Sequence, residues 1–410
     1  MTETLEKIRK SQSKVVLFGA GDLGRLAFYA LKKNNIKVDF FCDSNEKKQN
    51  KEYLGVKIIS PKILASLEKD ASIFMCNSQY IEVVSNLLKK LNFTKIYDLV
   101  NLLKNTDFSD CSLDQDLFSP PSIERQISLH EQNCLKANRN IHKKLYVSNI
   151  DIVITERCSL KCKDCANLMQ YYHRPQNAEH EILFEATDTL MKCIDNLYEF
   201  RILGGDPFMN KKMYEVVNKV QDYKNVEQIV VYTNATILPK DENFKCLTNK
   251  KVRLHITNYG LMSRKHDELV DLCKKNKIKF VSERVKKWQD VGTINYEEKS
   301  EKQLETLFKN CCANNLLTLF DGKLYRCPTA AHGVKLKAIP EDPKDIVELG
   351  KNKLDLKLLK DQIKEFYYNK KYISACSYCK GRDFGFGEID AAIQTKKPLT
   401  LPSITEKKLN

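Results

Sequence analysis

The sequence predicts an α/β protein with two successive parallel sheets and a smaller α+β region near its C-terminal end. In two stretches, short apolar runs alternate with helical segments, as expected for parallel strands joined by crossover helices. Two further apolar runs flank Asp321-Gly322, a pair that favours a tight hairpin turn. A chain of 410 residues is long enough for two or three domains. The predicted divisions are 1–105, 106–147, 148–305, 306–392 and a tail at 393–410.

Composition and charge indicate a cytoplasmic protein. The N-terminal segment is charged and has no apolar core typical of a signal peptide, and no run approaches the ~20 apolar residues of a membrane span. The 15 cysteines are an odd number, which does not favour a disulfide framework. The net charge of +15 would attract a nucleotide-sugar diphosphate, nucleic acid or an acidic peptide, although dispersed, solvated lysines explain it equally. Without a basic motif interleaved with aromatic residues, nucleic acid is not the expected partner.

The first region opens with a buried strand at 14–18 that runs into a glycine-rich turn, followed by a helix to about Lys33 and a strand at 38–42. Backbone amides of such a turn can cradle a phosphate, and an acidic residue about twenty positions on suits a ribose. The residues concerned are Gly19, Gly21, Gly24 and Asp43. This region resembles the Rossmann-like modules of sugar-modifying enzymes. The expected ligand is NAD or the nucleotide part of a substrate; the alternative is a docking or dimerisation module without a ligand.

A linker with a helix near 123–137 precedes the second α/β region. That region is expected to alternate strands and helices from Leu145 onward. Its predicted strands are 200–203, 228–232, 251–257 and 278–281, and its predicted helices are 182–197, 212–221 and 265–275.

The most informative motif is a loop with three cysteines, Cys158, Cys162 and Cys165, directly after a strand-like run at 152–155. Three thiolates on one loop can hold three irons of a [4Fe–4S] cluster and leave the fourth iron free to bind a reactant. The alternative is a zinc site that borrows a fourth ligand, such as His173.

Three further motifs follow the loop in order, at 203–208, 231–235 and 255–260. With the cysteine loop, they resemble the radical S-adenosylmethionine (SAM) superfamily. The resemblance implies a partial (β/α)6 barrel with its active site at the carboxyl ends of the strands, and SAM bound by a [4Fe–4S] cluster. The implied SAM-binding residues are Gly204, Gly205, Asp206, Thr233, Asn234, Thr257 and Tyr259. Two departures are Asp206, where the family usually has Glu, and Asp164, where it often has an aromatic residue.

A second set of cysteines lies around the predicted hairpin and beyond it: Cys312, Cys327, Cys376 and Cys379. Their spacing resembles the shortened SPASM region called a twitch domain, which implies an auxiliary [4Fe–4S] cluster with no open iron. A structural zinc ribbon is the alternative. Cys311 fits the spacing nearly as well as Cys312, and it is otherwise a candidate hydrogen-atom donor.

The resemblance implies reductive cleavage of SAM to a 5′-deoxyadenosyl radical, with an electron donor such as flavodoxin or ferredoxin. The expected substrate is a carbohydrate or nucleotide sugar, dehydrogenated or epimerised in glycan or secondary-metabolite biosynthesis. The candidate catalytic residues are Cys311, Tyr259, Arg326 and His332. A peptide-modifying maturase and a cluster-bearing regulatory protein are the alternatives.

Overall fold

The computed structural model describes residues 2–77, 81–111, 113, 123–124, 126–127, 130–131, 133–134, 144–292, 294–350, 355–382 and 387–401. The chain forms two compact units, Met1–Lys143 and Lys144–Asn410. Within the helix predicted near 123–137, the described residues 123–124, 126–127, 130–131 and 133–134 are helical. The sequence-based boundaries at 105 and 305 do not separate compact units, whereas a division at 143 does.

The first unit is a six-stranded sheet in the order β3-β4-β2-β1-β5-β6. All neighbouring strands are parallel except β3 and β4. The strands are β1 (Val15–Phe18), β2 (Phe40–Cys42), β3 (Glu52–Tyr53), β4 (Val56–Ile59), β5 (Ser72–Met75) and β6 (Ile96–Tyr97). The helices are Thr2–Lys10, Asp22–Lys33, Pro61–Ala65, Ile81–Lys90 and Val100–Lys104. β1 and β5 are buried along their whole length, as expected for apolar strands in the middle of a parallel sheet.

The second unit is an eight-stranded sheet in the order β11-β10-β9-β8-β7-β13-β14-β15. From β11 to β13 the neighbouring strands are parallel, and β14 and β15 add antiparallel pairings. The strands are β7 (Tyr146–Thr155), β8 (Asn196–Gly204), β9 (Val226–Thr233), β10 (Val252–Asn258), β11 (Phe280–Arg284), β13 (Leu316–Phe320), β14 (Lys323–Tyr325) and β15 (Val347–Glu348). A separate ribbon pairs β12 (Lys287–Gln289) with β16 (Glu388–Asp390). The predicted α/β class with parallel sheets is therefore confirmed.

Helices connect these strands and lie on both faces of the sheet. Glu301–Asn310 and Pro328–Lys335 share a core cluster with Val153 and Phe320 on one face. On the other face lies a helical layer made of His180–Cys193, Met213–Gln221, Asp241–Lys245, His266–Lys275 and Leu356–Lys364. Apolar side chains of alternate strand residues, such as Ile152, Ile202 and Val231, pack against this helical layer in one continuous core. The opposite residues of the same strands point to the other face, because side chains alternate along a strand. None of the described helices is both long and apolar enough to cross a membrane.

Two sequence-based boundaries change in the structure. The hairpin predicted around Asp321-Gly322 forms, but its first strand, β13, pairs with β7 and so belongs to the main sheet. The segment predicted as a tail from 393 contacts the rest of the second unit up to Leu401. Thr395 N donates to Lys161 O in the cysteine loop at 2.7 Å, Leu399 N donates to Gln170 O at 2.8 Å, and Leu401 packs on an apolar cluster.

Candidate active site

The three cysteines of the loop lie just beyond the carboxyl end of β7, which ends at Thr155. Cys158, Cys162 and Cys165 belong to one small, largely apolar cluster. Its other members are Leu160, Ala392, Tyr259 and Trp288. The rings of Tyr259 and Trp288 meet edge to face, with their centroids 5.6 Å apart. The fold therefore encloses the three thiols within a wall built from three parts of the chain.

Amide groups face two of the three sulfurs. Asn234 Nδ2 lies 3.6 Å from Cys158 Sγ, and Gln394 Nε2 lies 3.2 Å from Cys162 Sγ. Burial raises the pKa of all three thiols, to about 12 for Cys162, and the neighbouring thiols raise the pKa of Cys158 and Cys162 further. The three sulfurs thus interact electrostatically, and a bound cationic centre would offset the cost of holding them as thiolates.

The donor set fits a [4Fe–4S] cluster. Three soft sulfur ligands on one loop, N–H groups facing two sulfurs and an apolar wall are the features such a cluster requires. Among the described residues, no three His, Cys, Asp or Glu side chains lie close enough together to hold one metal ion. That finding concerns a single ion, because a four-iron cluster holds its thiolates farther apart.

The turn after β8 is pressed against β7 and the start of the cysteine loop. Gly205 N donates to Thr155 O, and Asp206 N donates to Arg157 O, both at 2.8 Å. A β-carbon on Gly204 would overlap the carbonyl of Thr155, and one on Gly205 would overlap that of Arg157. Gly204 also has a φ of +137°, which L side chains rarely adopt. Both glycines are therefore required for backbone to pack directly on backbone beside the cysteines.

Replacing Gly205 with alanine should destabilise the second unit by about 1–3 kcal/mol, because the added methyl group has no space. Urea unfolding measures the effect. Gly350→Ala is the matched control, since a β-carbon there would lie 3.9 Å from its nearest neighbour, a side-chain oxygen of Glu185. Equal stability of the Gly205→Ala variant and the parent protein would contradict this packing.

Asp206 is fully buried, and both of its carboxylate oxygens have donors from the protein. Oδ1 accepts from Phe208 N at 3.0 Å, while Oδ2 accepts from Thr233 Oγ1 at 2.9 Å and from Asn234 N at 3.0 Å. Burial raises the pKa of Asp206, and these three hydrogen bonds oppose the rise. Asp206 therefore ties the end of β8 to the end of β9, and its predicted contact with SAM stays a prediction.

The other predicted SAM-binding residues lie at neighbouring strand ends. Thr233 and Asn234 end or follow β9, and Thr257 and Tyr259 end or follow β10. Burial raises the pKa of Tyr259, and the nearby cysteine thiols raise it further, so its phenol faces the cysteine cluster. The sheet thus brings the four sequence motifs to one edge, as expected for the carboxyl ends of parallel strands. Direct contact of these residues with SAM also stays a prediction.

Across the sheet face opposite Ile152, Ile202 and Val231 runs a row of charged and aromatic side chains, which we call the polar row. Arg201 Nη2 lies 2.6 Å from Glu199 Oε2, and Arg201 Nη1 lies 3.8 Å from Asp151 Oδ1. The Arg201 guanidinium also lies 5.9 Å from the ring centroid of Tyr232, which stacks on His255 at 4.5 Å. The row therefore spans β7 to β10.

At its other end the polar row contains two oxygens without a hydrogen-bond partner. Thr318 on β13 is the register partner of Asp151 on β7, so their side chains share a face. Thr318 is 0 % and Asp151 6 % exposed, and both Thr318 Oγ1 and Asp151 Oδ1 lack a hydrogen-bond partner. Burial raises the pKa of Asp151 to about 6, although Arg201 opposes the rise. The sequence analysis missed this row, but charged residues alternating with apolar ones at 151, 199 and 201 are a signal for it.

The second set of cysteines also comes together, with Cys311 among its members. Burial raises the pKa of Cys327, Cys376 and Cys379, and Cys311 adds to the rise at each of them. The Cys311 thiol therefore lies beside the other three. The side chain of Cys312 lies outside the described residues, so its predicted ligand role stays a prediction. The position of Cys311 favours a role as a ligand together with these cysteines over its alternative predicted role as a hydrogen-atom donor.

Two predicted catalytic residues, Arg326 and His332, are buried in the protein. Arg326 is 1 % exposed and donates to Phe366 O at 2.8 Å, to Tyr367 O at 2.7 Å and to the carbonyl of Asn314. His332 is 0 % exposed, and burial lowers its pKa to about 3. Protein encloses both side chains, while Arg326 Nε and His332 Nε2 have no hydrogen-bond partner in the described part of the chain, and the predicted role of both residues as bases or hydroxyl ligands stays a prediction.

In the first unit, the carboxylate of Asp43, the predicted ribose-binding acid, already has partners within the protein. Asp43 Oδ2 accepts from Ala20 N at 3.0 Å and lies 3.3 Å from Lys48 Nζ, which also donates to Ala20 O at 2.8 Å. A β-carbon on Gly19 would lie 2.7 Å from the carbonyl oxygen of Cys76, and one on Gly24 would overlap the Gly19 carbonyl, whereas one on Gly21 would meet nothing within 4 Å. Two of the three glycines are thus explained by packing, and nucleotide binding by this turn stays a prediction.

Comparison with known proteins agrees with the prediction of an iron–sulfur cluster at the cysteine loop. A family model described as a 4Fe-4S single cluster domain matches residues 151–256, and one described as C2185-like, N-terminal, matches residues 11–96. GTP 3′,8-cyclase of Campylobacter lari is 26% identical over 137 residues, 33% of this chain and 41% of that protein. The enzyme of the same name from Helicobacter pylori (strain HPAG1) is 26% identical over 149 residues, 36% of this chain and 44% of its own. This chain therefore spans less than half the length of these relatives.

Among solved structures, BtrN in complex with AdoMet and 2-DOIA is similar over 62% of this chain and 98% of its own, with 15% identity and a TM-score of 0.39. The three-cysteine loop, placed at the strand ends of a parallel sheet and matched by the single-cluster family, defines an iron–sulfur protein. More narrowly, the single-cluster match at 151–256 and the similarity to GTP 3′,8-cyclases agree with the resemblance of this region to the radical SAM superfamily.

Proposed function

We propose that the protein is a radical SAM enzyme that dehydrogenates or epimerises a carbohydrate or nucleotide-sugar substrate. The observation that carries this proposal is the polar row. It lies on the strands whose carboxyl ends carry the cysteine loop and the predicted SAM motifs, and on the sheet face opposite the core of Ile152, Ile202 and Val231.

The chemistry of the polar row suits hydroxyl groups. Asp151 Oδ1 and Thr318 Oγ1 are neighbouring buried oxygens without a hydrogen-bond partner, and such groups cost free energy until a ligand satisfies them. Arg201 lies between two carboxylates, those of Glu199 and Asp151, so its charge is offset within the row. A neutral ring with adjacent hydroxyls can donate to the free oxygens without adding an unbalanced charge. The curated relatives are named for GTP, which also contains a sugar, and this too supports the proposed class.

The chain's own residues have separate tasks in this reaction. When bound, a [4Fe–4S] cluster supplies the electron, received from a donor such as flavodoxin or ferredoxin, that cleaves SAM reductively. Asp206 and the two glycines before it fix the strand ends, while Tyr259 and Trp288 exclude water from the cysteine cluster. In dehydrogenation, once a carbinol carbon has lost a hydrogen atom, Asp151 can accept the hydroxyl proton, because its pKa of about 6 lies near neutral pH. The remaining electron would pass to the auxiliary cluster predicted on the second set of cysteines, and a carbonyl group would form.

The proposal is tested by measuring 5′-deoxyadenosine with SAM, dithionite and a panel of sugars, UDP-sugars and peptides. We expect UDP-sugars or sugars to stimulate its formation, and peptides to leave it unchanged. Mass spectrometry in deuterated water then separates the outcomes, since dehydrogenation removes two hydrogens and epimerisation introduces one deuterium. Stimulation by peptides alone would contradict the carbohydrate proposal and favour a maturase.

Replacing Asp151 with asparagine should lower substrate-stimulated 5′-deoxyadenosine formation roughly 10- to 100-fold, since a charged acceptor for a substrate hydroxyl is lost. Glu283→Gln is the control, because Glu283 is exposed and lies 3.6 Å from His255, at the far end of the row from Asp151. SAM binding, measured by equilibrium dialysis, should be the same in both variants. Full stimulation in the Asp151→Asn variant would remove the polar row from the substrate site.

A further inference from the structure

The segment 387–395, which we call the return segment, pairs with the cysteine loop. Lys163 N donates to Ile393 O, and Thr395 N donates to Lys161 O, both at 2.7 Å. These bonds flank an antiparallel bridge between Cys162 and Gln394. The return segment therefore adds a short strand directly beside the middle cysteine of the loop.

Contacts on the upstream side hold the return segment in place. β16 lies within it and pairs with β12, and Lys287 Nζ lies 2.7 Å from Asp390 Oδ1. Ala391 N donates to Lys286 O at 3.0 Å, and Ala392 is buried in the cysteine cluster. The position of Gln394 is thus set by backbone pairing and packing around it, not by its side chain alone.

The hydrogen bonds of the Gln394 side chain fix which end of its amide faces the sulfur. Lys161 N can only donate, and it lies 2.8 Å from Gln394 Oε1. The carbonyl of Ala392 can only accept, and it lies 2.8 Å from Gln394 Nε2. Both neighbours require the same orientation, in which the NH2 group also faces Cys162 Sγ at 3.2 Å.

We propose that Gln394 is a positioning residue that sets the reduction potential of the cluster held by the cysteine loop. This inference rests on the proposed function, since it requires a cluster on Cys162. An N–H group that donates to a ligating thiolate stabilises electron density on the sulfur, and therefore the reduced cluster, more than the oxidised one. Loss of this donor makes the potential more negative and the cluster harder to reduce.

The test is redox titration of the full-length reconstituted protein, followed by electron paramagnetic resonance of the signal that changes when SAM is added. We expect Gln394→Leu to shift its midpoint potential to a more negative value. Gln394→Glu keeps the acceptor for Lys161 N but replaces the donor with a negative charge, so it should shift the potential further in the same direction. Thr395→Val is the control, because it removes the hydroxyl contact to Lys161 O at 3.3 Å and reaches no sulfur.

Iron content and the response to SAM are measured first in the parent protein, so that absence of a cluster would reveal failure of the proposed function separately. With clusters present, potentials of both Gln394 variants equal to that of the parent would overturn the inference. A shift of equal size in Thr395→Val would also overturn it, since the effect would then come from the segment and not from the amide. If the Gln394→Leu variant loses its iron, the midpoint potential of the Gln394→Glu variant is the test: a more negative value supports the inference, and the parent value overturns it.

Discussion

Replacing Cys158, Cys162 and Cys165 with alanine together should remove about four irons per chain and abolish 5′-deoxyadenosine formation. The three thiols share one enclosed cluster of side chains, and the sulfurs that Asn234 and Gln394 face are two of the three. Without these three thiols, the loop has no ligands for the [4Fe–4S] cluster that would supply the electron. Iron assay and chromatography of the reaction with dithionite measure both effects.

Cys111→Ala is the control for this triple replacement, because Cys111 is partly exposed and lies in the first unit. It should leave iron content and SAM cleavage unchanged. The remaining iron in the triple variant should belong to the second set of cysteines. Retained SAM cleavage in the triple variant would refute the role of the loop.

Replacing Asp206 with alanine should destabilise the second unit by about 3–5 kcal/mol, because three donors in a fully buried site lose their acceptor. The loss should also separate the ends of β8 and β9, so SAM binding should weaken together with stability. Urea unfolding of the SAM-free protein and equilibrium dialysis measure the two effects.

Asp355 offers a matched control for Asp206. Its carboxylate also accepts from two backbone amides, those of Lys357 and Leu358, but it is exposed and caps the helix Leu356–Lys364. Asp355→Ala should therefore cost only about 1 kcal/mol and leave SAM binding unchanged. Equal losses in the free energy of unfolding for the two variants would show that the burial of Asp206 does not add to the cost of removing its carboxylate.

Local patterns predicted the cysteine loop, the motifs at the strand ends and the alternation of strands and helices, because each depends on residues close together in sequence. β7 is one example: an apolar run followed directly by the loop can only be a central strand whose end carries the cysteines. The glycine pair at 204–205 is another, although only the structure shows that the carbonyls of Thr155 and Arg157 are what require it.

Contacts between distant residues were not predictable in the same way. Gln394 lies 232 positions from Cys162, and no local pattern marks it as a neighbour of the sulfur. β13 joins β7 across 167 positions of sequence, so the hairpin was predicted but its place in the main sheet was not. Arg326 ends a predicted strand and His332 follows it, which suggested a site, but both are buried. Arg326 donates to the carbonyl of Phe366, 40 positions later. His332 Nδ1 lies 2.8 Å from the hydroxyl of Tyr172, 160 positions earlier. Cys311 and Cys312 are adjacent, and spacing alone cannot choose between them.

The most direct test of the central claim is electron paramagnetic resonance of anaerobically reconstituted, dithionite-reduced protein with and without SAM. The account predicts a [4Fe–4S] signal that changes when SAM binds, because three thiolates leave one iron free for it. A sample that binds zinc in place of iron, or that shows no reducible cluster, would contradict it.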